Sequence, residues 1–169
     1  MKKALIVIDM QNDFLFGTLA NPDAAALVDG TVNEILSFDG DVFATRDTHG
    51  EDYLSTPEGQ KLPVTHCVKN TDGWQIQKDI SLALEKRNAV LLDKPTFGYL
   101  GWGFLGEYDE VTLIGTCTDI CVVSNALILK AMLPALRVKV LSKLCAGTSP
   151  ENHNAALATM RCCQVEVLE

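Results

Sequence analysis

The chain has 169 residues, 47% of them hydrophobic and 21% charged, and a formal net charge of −8. That length suits one domain, residues 1–169, with one sizeable core. The 14 basic residues form no dense cluster and are outnumbered by 22 acids, which excludes a nucleic-acid groove and favours a small-molecule partner.

The first segment, Met1-Lys2-Lys3-Ala4-Leu5-Ile6-Val7-Ile8-Asp9, has the basic start of a signal peptide. Its apolar run is too short, and it ends in Asp9 without a small-residue cleavage site, so Lys3–Ile8 reads as a first strand. A helix is predicted near Pro22–Leu36, with Pro22 in the first turn after Asn21, and the strand Asp41–Thr45 follows. Beyond a loop-rich stretch come a helix near Ile76–Lys86 and the strand Ala89–Leu92. The remainder reads as strand Glu110–Ile114, a helix from Asp119 to Leu133, strand Arg137–Leu141, a helix from Pro150 to Met160 and strand Gln164–Leu168. Six apolar strands alternating with helices predict a doubly wound α/β fold, a parallel sheet with helices on both faces. No apolar stretch approaches the roughly twenty residues of a membrane span, so a cytoplasmic protein is expected.

Six cysteines occur at 67, 117, 121, 145, 162 and 163, with no Cys-x-x-Cys pair, and the reading is reduced thiols. The two long connections, Arg46–Gln75 and Lys94–Asp109, exceed ordinary loop lengths and are candidates for function. In such folds ligands bind beyond the carboxyl ends of the strands. Unusual polar residues concentrate there: Asp9 ends the first strand, Asp47 and His49 follow the second, Lys94 the third and Cys121 the fourth.

Cys121 lies in the first turn of a helix that Thr118 or Asp119 can cap. Free backbone N–H groups at that end predict a lowered thiol pKa and a place for an oxyanion, although a cysteine there could equally be a small core residue. Asp9 can take a thiol proton and return it to a leaving group if a cation such as Lys94 steadies its charge; a buried Asp–Lys pair could also simply tie strands together. Asp47-Thr48-His49, with His66 in the same long loop, offers an Asp/His/His set suited to zinc, manganese or iron. The histidines could instead be loop anchors.

Val7-Ile8-Asp9-Met10-Gln11-Asn12-Asp13-Phe14, Asp47-Thr48-His49, His66-Cys67-Val68, Lys94-Pro95-Thr96-Phe97 and Gly115-Thr116-Cys117-Thr118-Asp119-Ile120-Cys121-Val122 occur in this order along the chain. In that combination the sequence resembles the isochorismatase-like cysteine hydrolases, and within them the nicotinamidases. The resemblance implies a sheet of order 3-2-1-4-5-6 and a catalytic triad of Asp9, Lys94 and Cys121. It also implies a cis peptide at Thr116-Cys117, with the amides of Cys117 and Cys121 facing an oxyanion. By the same resemblance Asp47, His49 and His66 hold a divalent metal, zinc first, that takes the ring nitrogen of the substrate; Phe14 packs on the ring, and Thr116 and Cys117 line the site.

The chain departs from the pattern where many relatives have Trp-Pro-x-His-Cys, reading Leu62-Pro63-Val64-Thr65-His66-Cys67. Cys117 stands where alanine is more usual, and the loop holds no histidine besides His49 and His66, which leaves three protein ligands plus water. The reaction implied is hydrolysis of nicotinamide, with another small amide or ureido compound as the alternative, and a homo-oligomer is compatible with the apolar Val122–Leu136 segment. A phosphoacceptor receiver domain fails on strand order, since Lys94 follows the third strand. A dinucleotide site fails because Met10–Phe14 contains no glycine.

Overall fold

The computed structural model describes residues 1–169. Six parallel strands form one sheet in the order β3-β2-β1-β4-β5-β6, the order that the family resemblance implies. They are β1 (Lys3–Ile8), β2 (Asp41–Asp47), β3 (Val90–Lys94), β4 (Glu110–Thr116), β5 (Arg137–Ala146) and β6 (Glu166–Leu168). The register is continuous across the centre, with Ile6 beside Phe43 of β2 on one side and beside Leu113 of β4 on the other.

The central strand explains why the sheet has two covered faces. Ala4, Ile6 and Ile8 enter one core with Trp102, Val122, Ala126, Leu129 and Met160, whereas Leu5 and Val7 enter the other with Val28, Ile35, Ile80 and Leu84. Side chains alternate across a strand, so a strand buried on both sides reads as an unbroken apolar run. Each fully buried isoleucine or leucine here contributes roughly 1.5–3 kcal/mol of transfer free energy.

There are seven α-helices, α1 (Asn12–Leu15), α2 (Pro22–Ala25), α3 (Val28–Ser37), α4 (Pro57–Lys61), α5 (Lys78–Lys86), α6 (Val123–Met132) and α7 (Pro150–Cys162), of which α3 and α5 cover one face and α6 and α7 the other. The predicted Pro22–Leu36 helix is thus two. Asn21 caps the first, accepting from the Asp23 and Ala24 amides, and the chain tightens where the Leu27 amide bonds back three residues to Ala24. The helix expected from Ile76 begins at Lys78, because Ile76 pairs with Gln11 as an isolated bridge and Gln77 caps the helix. Strand β5 runs five residues beyond the predicted Leu141. Polar Ser142 and Lys143 fall at a register break in its pairing with β4, after which pairing resumes at Cys145 and Ala146.

The direction in which successive strands are added reverses between β1 and β4: β2 and β3 lie to one side of β1, and β4, β5 and β6 to the other. A crevice opens at the carboxyl ends of the strands at such a switch point. Its tightest element is Gly115, whose φ of +117° and position 2.1 Å from the Ile8 carbonyl oxygen, measured to where a Cβ would sit, leave room for no side chain. The following Thr116–Cys117 peptide is cis. No helix is long and apolar enough to cross a membrane.

Candidate active site

The four strand ends deliver their polar residues to one place. Asp9 follows β1, Asp47 closes β2, Lys94 closes β3, and all three are buried. Cys121 comes from a single wide π-type turn, Thr118–Val122, that joins β4 to α6; the helix predicted from Asp119 begins at Val123 instead.

Lys94 Nζ lies 2.6 Å from Asp9 Oδ2, 3.6 Å from the Cys121 sulfur and 3.5 Å from Asp47 Oδ1. It also donates to the Thr96 carbonyl at 3.1 Å. The other Asp9 oxygen, Oδ1, accepts from the Thr45 hydroxyl at 2.6 Å. Apart from the Lys94 ion pair, Oδ2 has no well-directed hydrogen bond and is left as an acceptor.

Burial pushes the Asp9 carboxyl up, against the lowering effect of the Lys94 ammonium; the Asp47 charge adds to the rise and the Thr45 hydrogen bond opposes it. Desolvation favours the neutral form of Lys94, but the charges of Asp9 and Asp47, with the Cys121 sulfur beside it, outweigh that and hold the ammonium well above its usual range. Cys121 departs from the sequence expectation. Burial raises its pKa well above the ordinary thiol value and the Asp9 charge raises it further, with only Lys94 opposing. The helix-terminus argument fails locally: Cys117 occupies the cap position without a side-chain cap, and the Thr118 hydroxyl pairs with His153 Nδ1 at 2.8 Å. The Asp119 carboxylate is spent on the Thr148 amide and hydroxyl.

Beside this group lies a cluster of ligand type. His49 Nε2 is 2.8 Å and His66 Nε2 3.5 Å from Asp47 Oδ2, and Glu58 Oε1 is 3.7 and 4.0 Å from the same two nitrogens. All four ligand atoms fall within 4.8 Å of one another. Two imidazole nitrogens and two carboxylates suit a divalent metal of the zinc type. The His66 Nδ1 contact with the Val64 carbonyl at 2.7 Å fixes the tautomer that leaves Nε2 free to ligate. Burial pushes Asp47 up, but hydrogen bonds from both histidines and the Lys94 charge outweigh it and hold the carboxylate far below its usual range.

The three-ligand set read from the sequence therefore omits Glu58. Its signal is Thr56-Pro57-Glu58: the Thr56 hydroxyl accepts from the Gly59 amide at 3.0 Å and starts α4, a five-residue helix that presents Glu58 to the histidines. Gln11, part of the Val7–Phe14 run, supports the end of β2. Its buried amide accepts from the Asp47 N–H at 2.7 Å and donates to the carbonyls of Asp47 and Trp74, each at 2.9 Å. Asp13 accepts from the Cys67 amide at 2.8 Å and so ties the His66 segment to α1.

A cavity of about 410 Å³ joins the two clusters. Asp47, Glu58, His66 and Cys121 line it together with Phe14, Cys117, Leu62, Phe97 and Ile120. Phe14 packs against His66 with ring centroids 5.6 Å apart. Thr116 contributes no side chain to this wall, since it is wholly buried and its hydroxyl donates to the Ala146 carbonyl. Burial pushes the neighbouring Cys117 thiol up to about 11.

Residues 3–169 match the family described as the isochorismatase domain. The chain is similar to a nicotinamidase/pyrazinamidase of Mycobacterium tuberculosis, 31% identical over 185 residues that cover 98% of each protein. Among solved structures it is similar to a pyrazinamidase of Pyrococcus horikoshii in complex with zinc, at 25% identity and a TM-score of 0.82, covering 100% of this chain and 99% of that one. It is also similar to PnC1 from L. infantum in complex with nicotinate, at 25% identity and a TM-score of 0.83, covering 99% and 92% respectively.

Proposed function

The chain belongs to the isochorismatase family, and from that premise we propose that it is a metal-assisted cysteine amidase that hydrolyses nicotinamide to nicotinate and ammonia. The observation that carries the reading is the buried Asp9–Lys94–Cys121 group opening into the same cavity as a two-histidine, two-carboxylate cluster. The named activities of the relatives, and the zinc and nicotinate in two of the similar structures, support it.

In this reading the Cys121 sulfur attacks the amide carbonyl carbon as its proton passes to Asp9 Oδ2. The backbone amides of Cys117 and Cys121 stabilise the oxyanion. Collapse breaks the C–N bond, and Asp9 returns the proton to the departing nitrogen, releasing ammonia and leaving a thioester on Cys121. Asp9 then takes a proton from the attacking water, nicotinate leaves, and the proton returns to sulfur. Lys94 holds the Asp9 carboxylate in place through both half-reactions, and Phe14 packs on the ring. Asp47, His49, Glu58 and His66 would hold a divalent metal, zinc being the first candidate, which would supply a Lewis acid for the ring nitrogen of the substrate.

Ammonia release from nicotinamide by metal-loaded protein tests the reading, with Cys121→Ala and a chelated sample as controls. The expected result is turnover in the loaded protein and loss in both controls, with Cys121→Ala still folded and still binding nicotinate. Turnover retained by Cys121→Ala overturns the assignment.

A further inference from the structure

Asn125 is wholly buried in α6, one turn after the nucleophile, among Trp102, Ala126, Leu129 and other members of the core on that face. Its Nδ2 donates to the Cys121 carbonyl at 2.8 Å and to the Phe97 carbonyl at 3.2 Å. Its Oδ1 accepts from the Tyr99 amide at 2.9 Å and from Trp102 Nε1 at 3.0 Å. All four hydrogen-bonding valencies of the amide are used. Packing alone would be served by an apolar side chain of the same size, whereas a fully paired buried amide fixes the relative position of everything it touches.

What it touches is specific to the site. One partner is the carbonyl of Cys121 itself, at the point where the wide turn passes into the regular helix, and wide turns of this type are where helix geometry is re-aimed. The other three belong to the Phe97–Trp102 segment, which leaves β3 just after Lys94 and supplies Phe97 to the cavity wall. We propose that Asn125 is a positioning residue that clamps the Cys121 backbone to the Phe97–Trp102 segment, holding the sulfur at its distance from Lys94 and Asp9 and the Phe97 wall at its distance from the sulfur. The inference rests on the reading of Cys121 as the nucleophile.

The two halves of the clamp separate by mutation. Asn125→Ala removes both. Asn125→Thr keeps a donor for the Cys121 carbonyl, the i−4 back-bond that threonine makes within helices, but has no second donor for Phe97 and cannot replace the bonds to both Tyr99 and Trp102. Trp102→Phe removes one partner of Oδ1 and leaves the Cys121 bond intact.

Two readouts are taken on metal-loaded protein: kcat and KM for nicotinamide, and the pH profile of Cys121 alkylation by iodoacetamide, followed on the Cys121 peptide by mass spectrometry. Asn125→Ala lowers kcat by up to about 100-fold, the scale of an ångström of misplacement, and displaces the alkylation profile. Asn125→Thr recovers most of kcat and restores the profile while KM stays raised. A fall in thermal stability with kcat and alkylation profile both unchanged overturns the proposal and leaves a structural amide. If Asn125→Ala does not fold, Asn125→Thr and Trp102→Phe decide: both raise KM more than they lower kcat, and equal losses in the two overturn the clamp. Alkylation needs no turnover, so a protein inactive on nicotinamide still reports on Asn125. Failure of the nucleophile assignment appears separately, in Cys121→Ala.

Discussion

Thr45→Val isolates the hydroxyl that serves the proposed base. The substitution keeps the shape of a fully buried side chain and removes one O–H, the donor 2.6 Å from Asp9 Oδ1 that also accepts from the Asp9 amide at 3.3 Å. A hydrogen bond to a charged group contributes roughly 1.5–3 kcal/mol, and one pKa unit corresponds to about 1.36 kcal/mol, so its loss amounts to about one to two units. The sign follows from which form is stabilised. Thr45 favours the ionised carboxylate and lowers a pKa that burial has already raised, so its removal raises the pKa further. Because the mechanism needs Asp9 ionised, the acid limb of kcat/KM moves to higher pH by about one to two units, as a macroscopic value of the coupled Asp9–Lys94–Cys121 group. Ammonia release followed from about pH 4 to 9, with circular dichroism at each end to establish folding, measures it. An acid limb that stays in place in folded Thr45→Val would refute Asp9 as the group whose ionisation governs the reaction.

Glu58→Gln removes one of two carboxylates from the ligand cluster, and zinc affinity falls by at least about 10-fold in competition with a chromophoric chelator. Unchanged affinity would remove Glu58 from the set. Lys94→Met leaves the Asp9 charge buried without its partner, a loss of about 3–5 kcal/mol that lowers Tm by roughly 6–20 °C and abolishes turnover. A melting temperature equal to that of the parent protein would mean that the pair contributes nothing to stability.

The sequence makes the sheet legible because β1, buried on both faces, reads as the continuous apolar run Ala4–Ile8, and β4, buried throughout, is apolar at Val111, Leu113 and Ile114. What it conceals is whatever depends on a partner far along the chain. Helix α4 is five residues, Pro57-Glu58-Gly59-Gln60-Lys61, with no apolar periodicity, and only the Thr56-Pro57 start betrays it. That is why Glu58 is missed while Asp47, His49 and His66, which sit in short recognisable runs, are named. The far half of β5 is hidden by Ser142 and Lys143, which break the apolar pattern at the register shift. Asn125 reads as one of three polar residues, with Ser124 and Lys130, in a mostly apolar helix, and its four partners lie as many as 28 positions away. The thiol is mis-stated for a different reason. A cap and a dipole are local features visible in Thr118-Asp119, but the two side chains turn to His153 and Thr148, and burial of the sulfur is a property of the whole fold.

A protonated Cys121 is what the charge geometry requires. Lys94 Nζ can neutralise one anion, and it stands 2.6 Å from the Asp9 oxygen against 3.6 Å from the sulfur. At an effective dielectric near 20, those distances correspond to attractions of about 6.4 and about 4.6 kcal/mol, a difference of about 2 kcal/mol in favour of charge on the carboxylate. The intrinsic preference points the same way, since a carboxyl ionises several pH units before a thiol. Burial raises both groups, the thiol well above its ordinary value, so the resting site holds the Asp9–Lys94 ion pair, with Asp47 also beside Lys94, and a neutral sulfur. Moving the thiol proton to Asp9 in the absence of substrate would strand a thiolate with the more distant half of that pair. The transfer becomes favourable only when the sulfur is forming a bond to carbon and the new negative charge moves to the carbonyl oxygen, where backbone amides receive it. In the proposed mechanism, proton transfer and attack are therefore one event, and the cation that holds Asp9 ionised between turnovers is the element on which that coupling depends.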